Sequence, residues 1–281
     1  MTKFPAYSAG LAAALLSAAA LSTVFAADSA PPNFMPDDKT AWLAPDDDFI
    51  SPENGPGPVV SDPAHPYISF YRHQRNPNPT FRVADLNNVI LQDWTKQALK
   101  KANENSLSGA VISTPKERCW PVGVPAFSLL PSTGVRFLQT QKQVTLIWPQ
   151  DHQVRRVYLD VPHSANPKPS WFGESVGHYE GDTLVVDTIG LDKRSYVDNY
   201  FTPHTEALHV VERYRLIEGG RTLEVNIRVE DQGAFTTPWT AMQRYRRVDQ
   251  GEMAESVCAE NNGDHFDHGV EPIPTAEKSD F

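Results

Sequence analysis

Short runs in which apolar and polar residues alternate fill the second half of this chain, and they constrain its fold more than any other feature. In Arg221–Asp231, for example, Leu223, Val225 and Ile227 are separated by single polar residues. Such alternation is typical of strands, because successive side chains of a strand point to opposite faces. Glycine-containing turns at 180–182 and 218–220 separate neighbouring runs and indicate hairpins. The pattern predicts a mainly β protein.

Eight strands with short connections are predicted, and one helix precedes them. The helix lies between Asp85 and about Glu104, where apolar residues recur at helical spacing. An antiparallel meander of this size removes its exposed edges by closing, so we expect a lipocalin-like barrel of about eight strands that can hold one ligand. A two-sheet sandwich remains open as an alternative. The predicted strands are Val135–Thr140, Gln143–Trp148, Gln153–Leu159, Ser175–Tyr179, Thr183–Thr188, Leu208–Leu216, Arg221–Glu230 and about Trp239–Arg247.

Four segments are predicted along the chain. Residues 1–27 form a signal peptide: Lys3 is followed by an apolar run and the small-x-small pattern Val24-Phe25-Ala26. The run is shorter than the roughly 20 residues that span a bilayer, so we expect a periplasmic or secreted protein without a stable membrane anchor. Residues 28–84 form an extended arm rich in Pro and Asp, residues 85–250 the helix and barrel, and residues 251–281 a polar tail.

Charge and cysteine content narrow the possible partners. The formal net charge of −10 argues against nucleic acid or an anionic membrane as a partner, since both demand clustered Lys and Arg. An oxidising compartment favours a disulfide between the two cysteines, Cys119 and Cys258. The partner we expect is a small molecule, and the sequence leaves the oligomeric state open.

Ionisable residues occupy both faces of the predicted strand at 205–216. One face carries Glu212 beside Leu208 and Val210, and the other carries His209 and Arg213. This distribution fits a barrel wall with a functional lumen on one side and solvent on the other, and we expect imidazole and guanidinium groups from 203–213 to line that lumen. The alternative is that Glu212 and Arg213 form ordinary cross-strand ion pairs and that His209 is a surface imidazole.

General acid/base chemistry is the reaction type that these residues favour. Histidine titrates near neutral pH, and burial can raise the pKa of a carboxyl group toward that range. We expect His204 or His209 to act as the base, Glu212 or Asp187 as the acid or orienting group, and Arg213 as an electrostatic clamp. The residues assigned to substrate binding are His163, Trp171, Tyr179 and Asp198.

Metal and cofactor chemistry find little support in the motifs. The spacing of His204 and His209 differs from that of helical zinc sites, and on a strand His209 and Glu212 face opposite ways. The cluster at Asp264–His268 lies in the polar tail, where a solvated surface is the simpler interpretation. Motifs for nucleotides, flavins and haem are missing from the sequence. We therefore predict no metal and no organic cofactor.

Several strings between Cys119 and Trp239 resemble a large family of exported bacterial proteins that are generally catalogued as hypothetical. The strings include CWPVGVP, PSWFGESVGHYEGDTLVVDTIG and PHTEALHVVERYR. The resemblance implies a shared fold and brings no activity with it. The matching segments contain His163, Trp171, Asp187, His204, His209, Glu212 and Arg213.

The sequence therefore predicts an exported barrel enzyme that performs cofactor-independent acid/base chemistry on a small, partly apolar or aromatic molecule. A lyase, hydratase, isomerase or hydrolase would fit. The alternatives are a lipocalin-like carrier with the same barrel and a structural envelope protein.

Overall fold

The structure is a computed structural model that describes residues 30–68, 82–109, 119–129, 134–150 and 153–253, together with Met1 and Pro115. Its described part contains one α-helix, α1 (Asp93–Leu107), and one sheet of nine strands. The strands are β1 (Thr40–Leu43), β2 (Arg136–Gln139), β3 (Gln143–Trp148), β4 (Gln153–Leu159), β5 (Glu174–Glu180), β6 (Thr183–Ile189), β7 (His209–Ile217), β8 (Thr222–Glu230) and β9 (Trp239–Asp249).

The sheet curls until its two edge strands approach each other. Its order is β1-β9-β8-β7-β6-β5-β4-β3-β2. Trp42 of β1 exchanges two backbone hydrogen bonds of 2.9 and 3.0 Å with Val135, the residue before β2. The mainly β, nearly closed barrel that the alternation predicts is thus confirmed, with nine strands instead of eight.

One pair of neighbouring strands departs from the predicted antiparallel meander. β4 and β5 pair in parallel, with Val157 opposite Ser175, while the other neighbours are antiparallel. Parallel neighbours need a connection that returns along the sheet. The segment 160–173, rich in Pro, provides it, and we call this segment the crossover loop. The prediction of a purely antiparallel sheet was therefore wrong at this pair.

The ninth strand comes from the Pro-rich arm, where the composition gave no sign of it. β1 pairs with β9, and Trp42 is 1% exposed and donates from its indole nitrogen to the carbonyl oxygen of Phe34 at 2.7 Å. Farther along the arm, Arg82 forms ion pairs with Asp47 and Asp48. The arm is therefore part of the barrel wall and its packing, not only a surface extension.

The barrel core is apolar and rich in large side chains. Burial alternates along the strands, as in β4, where Val157 and Leu159 are buried and Arg156 and Tyr158 are exposed. Tryptophans from three different strands are almost fully buried: Trp42, Trp148 and Trp239. The inner faces of the strands thus pack against one another, and the outer faces carry most of the charge.

Several predictions fall on residues outside the described ranges. These are the signal peptide at 1–27, almost all of the tail at 251–281 with its His-rich cluster, and Cys258. The pairing of Cys119 with Cys258 therefore stays a prediction. Within the described ranges, the one α-helix is too short and too polar to cross a membrane.

Candidate functional site

Three of the predicted site residues meet on the outer wall of the barrel. His163 of the crossover loop, Asp187 of β6 and His209 of β7 form a continuous hydrogen-bonded chain with Glu174 of β5, and we call these four residues the outer-wall cluster. Both imidazoles lie within hydrogen-bonding distance of Oδ1 of Asp187, His163 through Nε2 at 2.9 Å and His209 through Nε2 at 3.0 Å. The other ring nitrogen of His163 lies 3.0 Å from Oε1 of Glu174.

The strand register explains why these side chains share one face. Asp187 pairs with Val211, two residues from His209 on β7, and lies two residues before Ile189, which pairs with Glu174 on β5. Their neighbours in sequence point inward, so Asp187 and His209 point outward. The crossover loop then places His163 over this face.

Ser164 holds the end of the cluster in place. Its backbone N–H donates to Oε1 of Glu174 at 2.7 Å, and its hydroxyl donates to Oε2 at 2.7 Å. These bonds from Ser164 are the main cause that lowers the pKa of Glu174, with a further contribution from His163. Glu174 is therefore an ionised carboxylate that is fixed in orientation.

The two carboxylates determine where the protons of the histidines lie. The hydrogen bond from His209 is the largest influence on Asp187 and lowers its pKa, so this group also stays ionised. A carboxylate can only accept, so the proton of neutral His209 lies on Nε2. Both ring nitrogens of His163 face carboxylate oxygens, Nδ1 that of Glu174 and Nε2 that of Asp187. The hydrogen bond to Asp187 in turn raises the pKa of His209 above its ordinary 6.5.

His209 keeps one ring nitrogen without a partner. Within the described part of the chain, Nδ1 of His209 forms no hydrogen bond, and the side chain is 34% exposed. When His209 is neutral, Nε2 carries its proton and Nδ1 presents a lone pair to solvent. This is the arrangement of a general base that an acidic neighbour orients.

A groove of about 540 Å³ adjoins the cluster, between the crossover loop and the outer face of β4. Glu174 and Ser164 line it, so the groove shares Glu174 with the cluster and includes the serine that holds Glu174 in place. Trp171 also lines the groove, as the sequence-based assignment to substrate binding requires. Its ring stacks on that of Trp120, with the centroids 5.3 Å apart.

Glu212 lies on the opposite side of the wall, inside the barrel. It is 0% exposed and forms an ion pair with Arg155, which is 1% exposed. Tyr214 donates to Oε1 of Glu212 at 2.8 Å, and Thr188 accepts from Arg155 at 2.9 Å. Burial alone would lower the pKa of Arg155, but the adjacent Glu212 raises it above the ordinary value. The guanidinium of Arg155 therefore stays charged, and its ion pair with Glu212 joins β4 to β7 across the core.

His204 forms a separate buried group outside the barrel strands. It is 3% exposed, and its Nε2 lies 2.8 Å from the hydroxyl of Ser195, while its Nδ1 donates to the carbonyl oxygen of Thr205 at 2.8 Å. Burial lowers the pKa of His204. Both nitrogens are engaged and almost no surface is exposed, so His204 lacks the access that a catalytic base needs.

The remaining predicted residues do not join the cluster. Arg213 lies on the outer face of β7 and forms an ion pair with Glu180, so the simple cross-strand alternative describes it correctly. Tyr179 accepts a hydrogen bond from Gln139 at 2.9 Å. Asp198 is buried, its Oδ1 accepts from the backbone N–H of Tyr200 at 2.8 Å, and burial raises its pKa to about 6.

The prediction that imidazole and guanidinium groups from 203–213 line the lumen was wrong. Alternation had sorted the side chains of β7 correctly, with Glu212 and Tyr214 on one face and His209 and Arg213 on the other. The error was in the choice of face, since the apolar residues and Glu212 point inward and the histidine points outward.

Sequence reasoning missed two residues, Arg155 and Glu174. A signal for Arg155 was present, because it shares a strand face with Val157 and Leu159, and an arginine on an apolar face indicates a buried partner. Glu174 carried no comparable signal. In the described part of the chain, no group of three or more His, Cys, Asp and Glu side chains is arranged to hold a metal ion.

Comparison of the chain with family models, curated proteins and solved structures gave no match. The functional argument therefore rests on the geometry of the outer-wall cluster and its groove.

Proposed function

We propose that this protein is an enzyme that moves protons on a small organic molecule, with His209 as the general base and Asp187 as the group that orients it. The observation that carries the proposal is the pairing of Nε2 of His209 with Asp187 at 3.0 Å, which leaves Nδ1 without a partner in the described chain on a side chain that is 34% exposed. A lyase, hydratase, isomerase or hydrolase reaction would each use such a base.

His209 acts as the base through Nδ1. The lone pair of Nδ1 takes a proton from the substrate or from a water molecule that attacks it, and the ring becomes an imidazolium. Asp187 is ionised and already accepts from Nε2, so it stabilises this positive charge without moving. The imidazolium then gives up a proton to the substrate, its leaving group or solvent, and the neutral ring is restored.

His163 and Glu174 hold the hydrogen-bonded pair of Asp187 and His209 in its geometry. His163 is within 2.9 Å of Asp187 and 3.0 Å of Glu174, so it fixes the carboxylate of Asp187 at the distance that His209 requires. A rigid network of this kind lowers the cost of reorganisation during proton transfer. His163 is therefore a positioning residue in this proposal, and Ser164 supports it through Glu174.

The other candidate bases serve less well. His204 is 3% exposed and uses both ring nitrogens, and Glu212 is inside the barrel beside Arg155. His178 is exposed on β5, but it pairs with Glu180 and forms no hydrogen bond or ion pair with the residues of the outer-wall cluster. It is useful as a control because it is a histidine on the same outer wall.

The test is an incubation of the purified protein in deuterium oxide with mixtures of small aromatic and terpenoid molecules, followed by proton NMR. Deuterium incorporation and product formation are both visible in the spectra. We expect the His209→Gln variant to lose the parent's activity by about 100-fold or more, the usual contribution of a general base. The control His178→Gln should retain it. The rate of the parent should rise with pH through a pKa above 6.5, since only neutral His209 accepts a proton.

Equal turnover by His209→Gln and the parent contradicts the proposed base. If the parent turns over nothing in these mixtures, the alternative of a non-catalytic carrier is favoured, because the groove beside the cluster can bind a small molecule without changing it.

Export to the periplasm or secretion remains part of the proposal and rests on the pattern in residues 1–27. Measurement of the mature N-terminus by mass spectrometry tests it. Detection of Lys3 in the protein from the cell envelope fraction would contradict cleavage of the signal peptide.

A further inference from the structure

We infer that the groove beside the outer-wall cluster binds a flat ring compound that carries a carboxylate, with Arg156 and Lys168 as the anion-binding groups. The inference names a substrate class for the proposed enzyme, and it depends on that proposal only for the claim that the bound compound is the substrate. The binding claim itself rests on the charge, the aromatic surface and the position of the groove.

Two cations line the groove without any acidic partner. Neither Arg156 nor Lys168 forms an ion pair or a side-chain hydrogen bond within the described part of the chain, although both line the groove. Most arginines on the outer wall differ in this respect, as Arg213 does by pairing with Glu180. In a chain with a formal net charge of −10, a groove with two unpaired cations is a favourable place for a small anion.

Among the described residues, Glu174 is the one acidic residue that lines the groove, and its carboxylate already accepts hydrogen bonds from within the chain. Glu174 accepts two hydrogen bonds from Ser164 and one from His163, each between 2.7 and 3.0 Å. Its two oxygens therefore have their donors. A ligand anion would be repelled by Glu174 and would take its hydrogen bonds from Arg156 and Lys168. Arginine suits a carboxylate, because its planar guanidinium can donate two parallel hydrogen bonds.

Aromatic side chains supply the surface for the ring of the ligand. Tyr158, Trp171 and Phe172 line the groove, and Tyr158 is 46% exposed. Two neighbours hold Trp171 in place. Its ring packs against that of Trp120 at an interplanar angle of 37°, and the guanidinium of Arg194 lies 4.7 Å from its ring centroid. A fixed aromatic wall loses little side-chain entropy when a flat ligand binds against it.

Position connects this binding site to the chemistry. Glu174 lines the groove and touches His163, which touches Asp187, the partner of His209. Within the proposed function, a substrate that is held at Arg156 and Lys168 therefore lies beside Glu174, at the edge of the outer-wall cluster.

The test is isothermal titration calorimetry with two matched probes, 2-naphthoate and its neutral analogue 2-naphthamide. The parent should bind 2-naphthoate at least about tenfold more tightly, since charge-assisted hydrogen bonds to a carboxylate commonly contribute that much. The Arg156→Gln/Lys168→Gln double variant should lose this preference. Both residues are exposed and unpaired, so the variant should fold as the parent does.

Arg246→Gln is the matched control. Arg246 is an exposed arginine on β9 with no ion pair among the described residues, and it does not line this groove. The control should keep the parent's preference for 2-naphthoate. Equal affinity of the parent for the two probes, no binding of either probe, or an unchanged preference in the double variant would each overturn the inference.

A further titration separates this inference from the proposed function. His209→Gln should bind 2-naphthoate as the parent does, because His209 does not line the groove. Selective binding of 2-naphthoate that depends on Arg156 and Lys168, in a protein without any turnover, refutes the proposed enzyme and leaves the binding site standing. Turnover that depends on His209, with no preference for 2-naphthoate, refutes the binding site alone.

Discussion

The ion pair inside the barrel makes a prediction whose size follows from its burial. Glu212 is 0% exposed and Arg155 is 1% exposed, so neither charge has access to water if its partner is removed. In Glu212→Gln, Arg155 keeps its neutral contacts with Thr188 and Ser175 but loses the only carboxylate at its guanidinium among the described residues. We expect the free energy of unfolding to fall by about 3–5 kcal/mol, the usual cost when one member of a buried ion pair is left without its partner.

A double variant separates the charge from the packing. Arg155→Met/Glu212→Leu removes both charges and keeps similar volume, so it should lose much less stability than Glu212→Gln and could equal the parent. The matched control is Arg213→Met, the next residue on β7, which breaks the half-exposed pair with Glu180 on the outer face. Because water solvates both of these groups, the free energy of unfolding should fall far less in Arg213→Met than in Glu212→Gln.

Urea unfolding, followed by circular dichroism and tryptophan fluorescence, measures these differences at constant m-value. A loss below about 1 kcal/mol for Glu212→Gln would mean that water or another group reaches Arg155, which refutes the buried pair. A double variant that is as unstable as the single variant would show that packing, and not the lone charge, accounts for the loss.

Further predictions concern a glycine of the groove wall and a buried carboxyl group. Gly173 has φ +63°, and a Cβ atom there would lie 2.4 Å from the carbonyl oxygen of Ile189, so Gly173→Ala should destabilise by well over the roughly 1 kcal/mol of left-handed strain alone. Gly220→Ala, with φ +83° and no atom within 4 Å of its Cβ, should show only that strain in the same urea titration. Burial raises the pKa of Asp198 to about 6, so this group contributes stability below about pH 4 that is lost as pH rises to about 6, roughly 3 kcal/mol in all. Asp198→Asn should remove that part of the pH dependence, and an unchanged pH profile would show that Asp198 is not desolvated.

The sequence predicted the local structure of the barrel well. The bounds of β3 and β4 agree with the strands expected from alternation, and the division of β7 into two faces is correct. These features depend on side chains only a few residues apart, so the pattern along the chain contains them.

Long-range features could not be obtained in this way. β1 is a short strand in a Pro-rich segment, and its pairing partner β9 is distant in sequence, so no local pattern indicates it. The parallel pair of β4 and β5 depends on the path of the crossover loop, which the turn residues do not specify.

The candidate site was predicted in its residue types but not in its location. His163, Asp187 and His209 do come together, yet on the outer wall and without Glu212 or Arg213. Alternation assigns residues to two faces and leaves open which face is inside. In β7 the choice depends on a partner in another strand, because Glu212 can point inward only with Arg155 opposite it.

The protonation of His209 is the property on which the proposed function depends most directly. Nitrogen-15 NMR of histidine-labelled protein, recorded across a pH titration, reports both the tautomer and the pKa of this ring. We predict that neutral His209 carries its proton on Nε2, that its pKa lies above 6.5, and that Asp187→Asn lowers this pKa. A proton on Nδ1 of the neutral ring, or a pKa that Asp187→Asn leaves unchanged, would contradict the account.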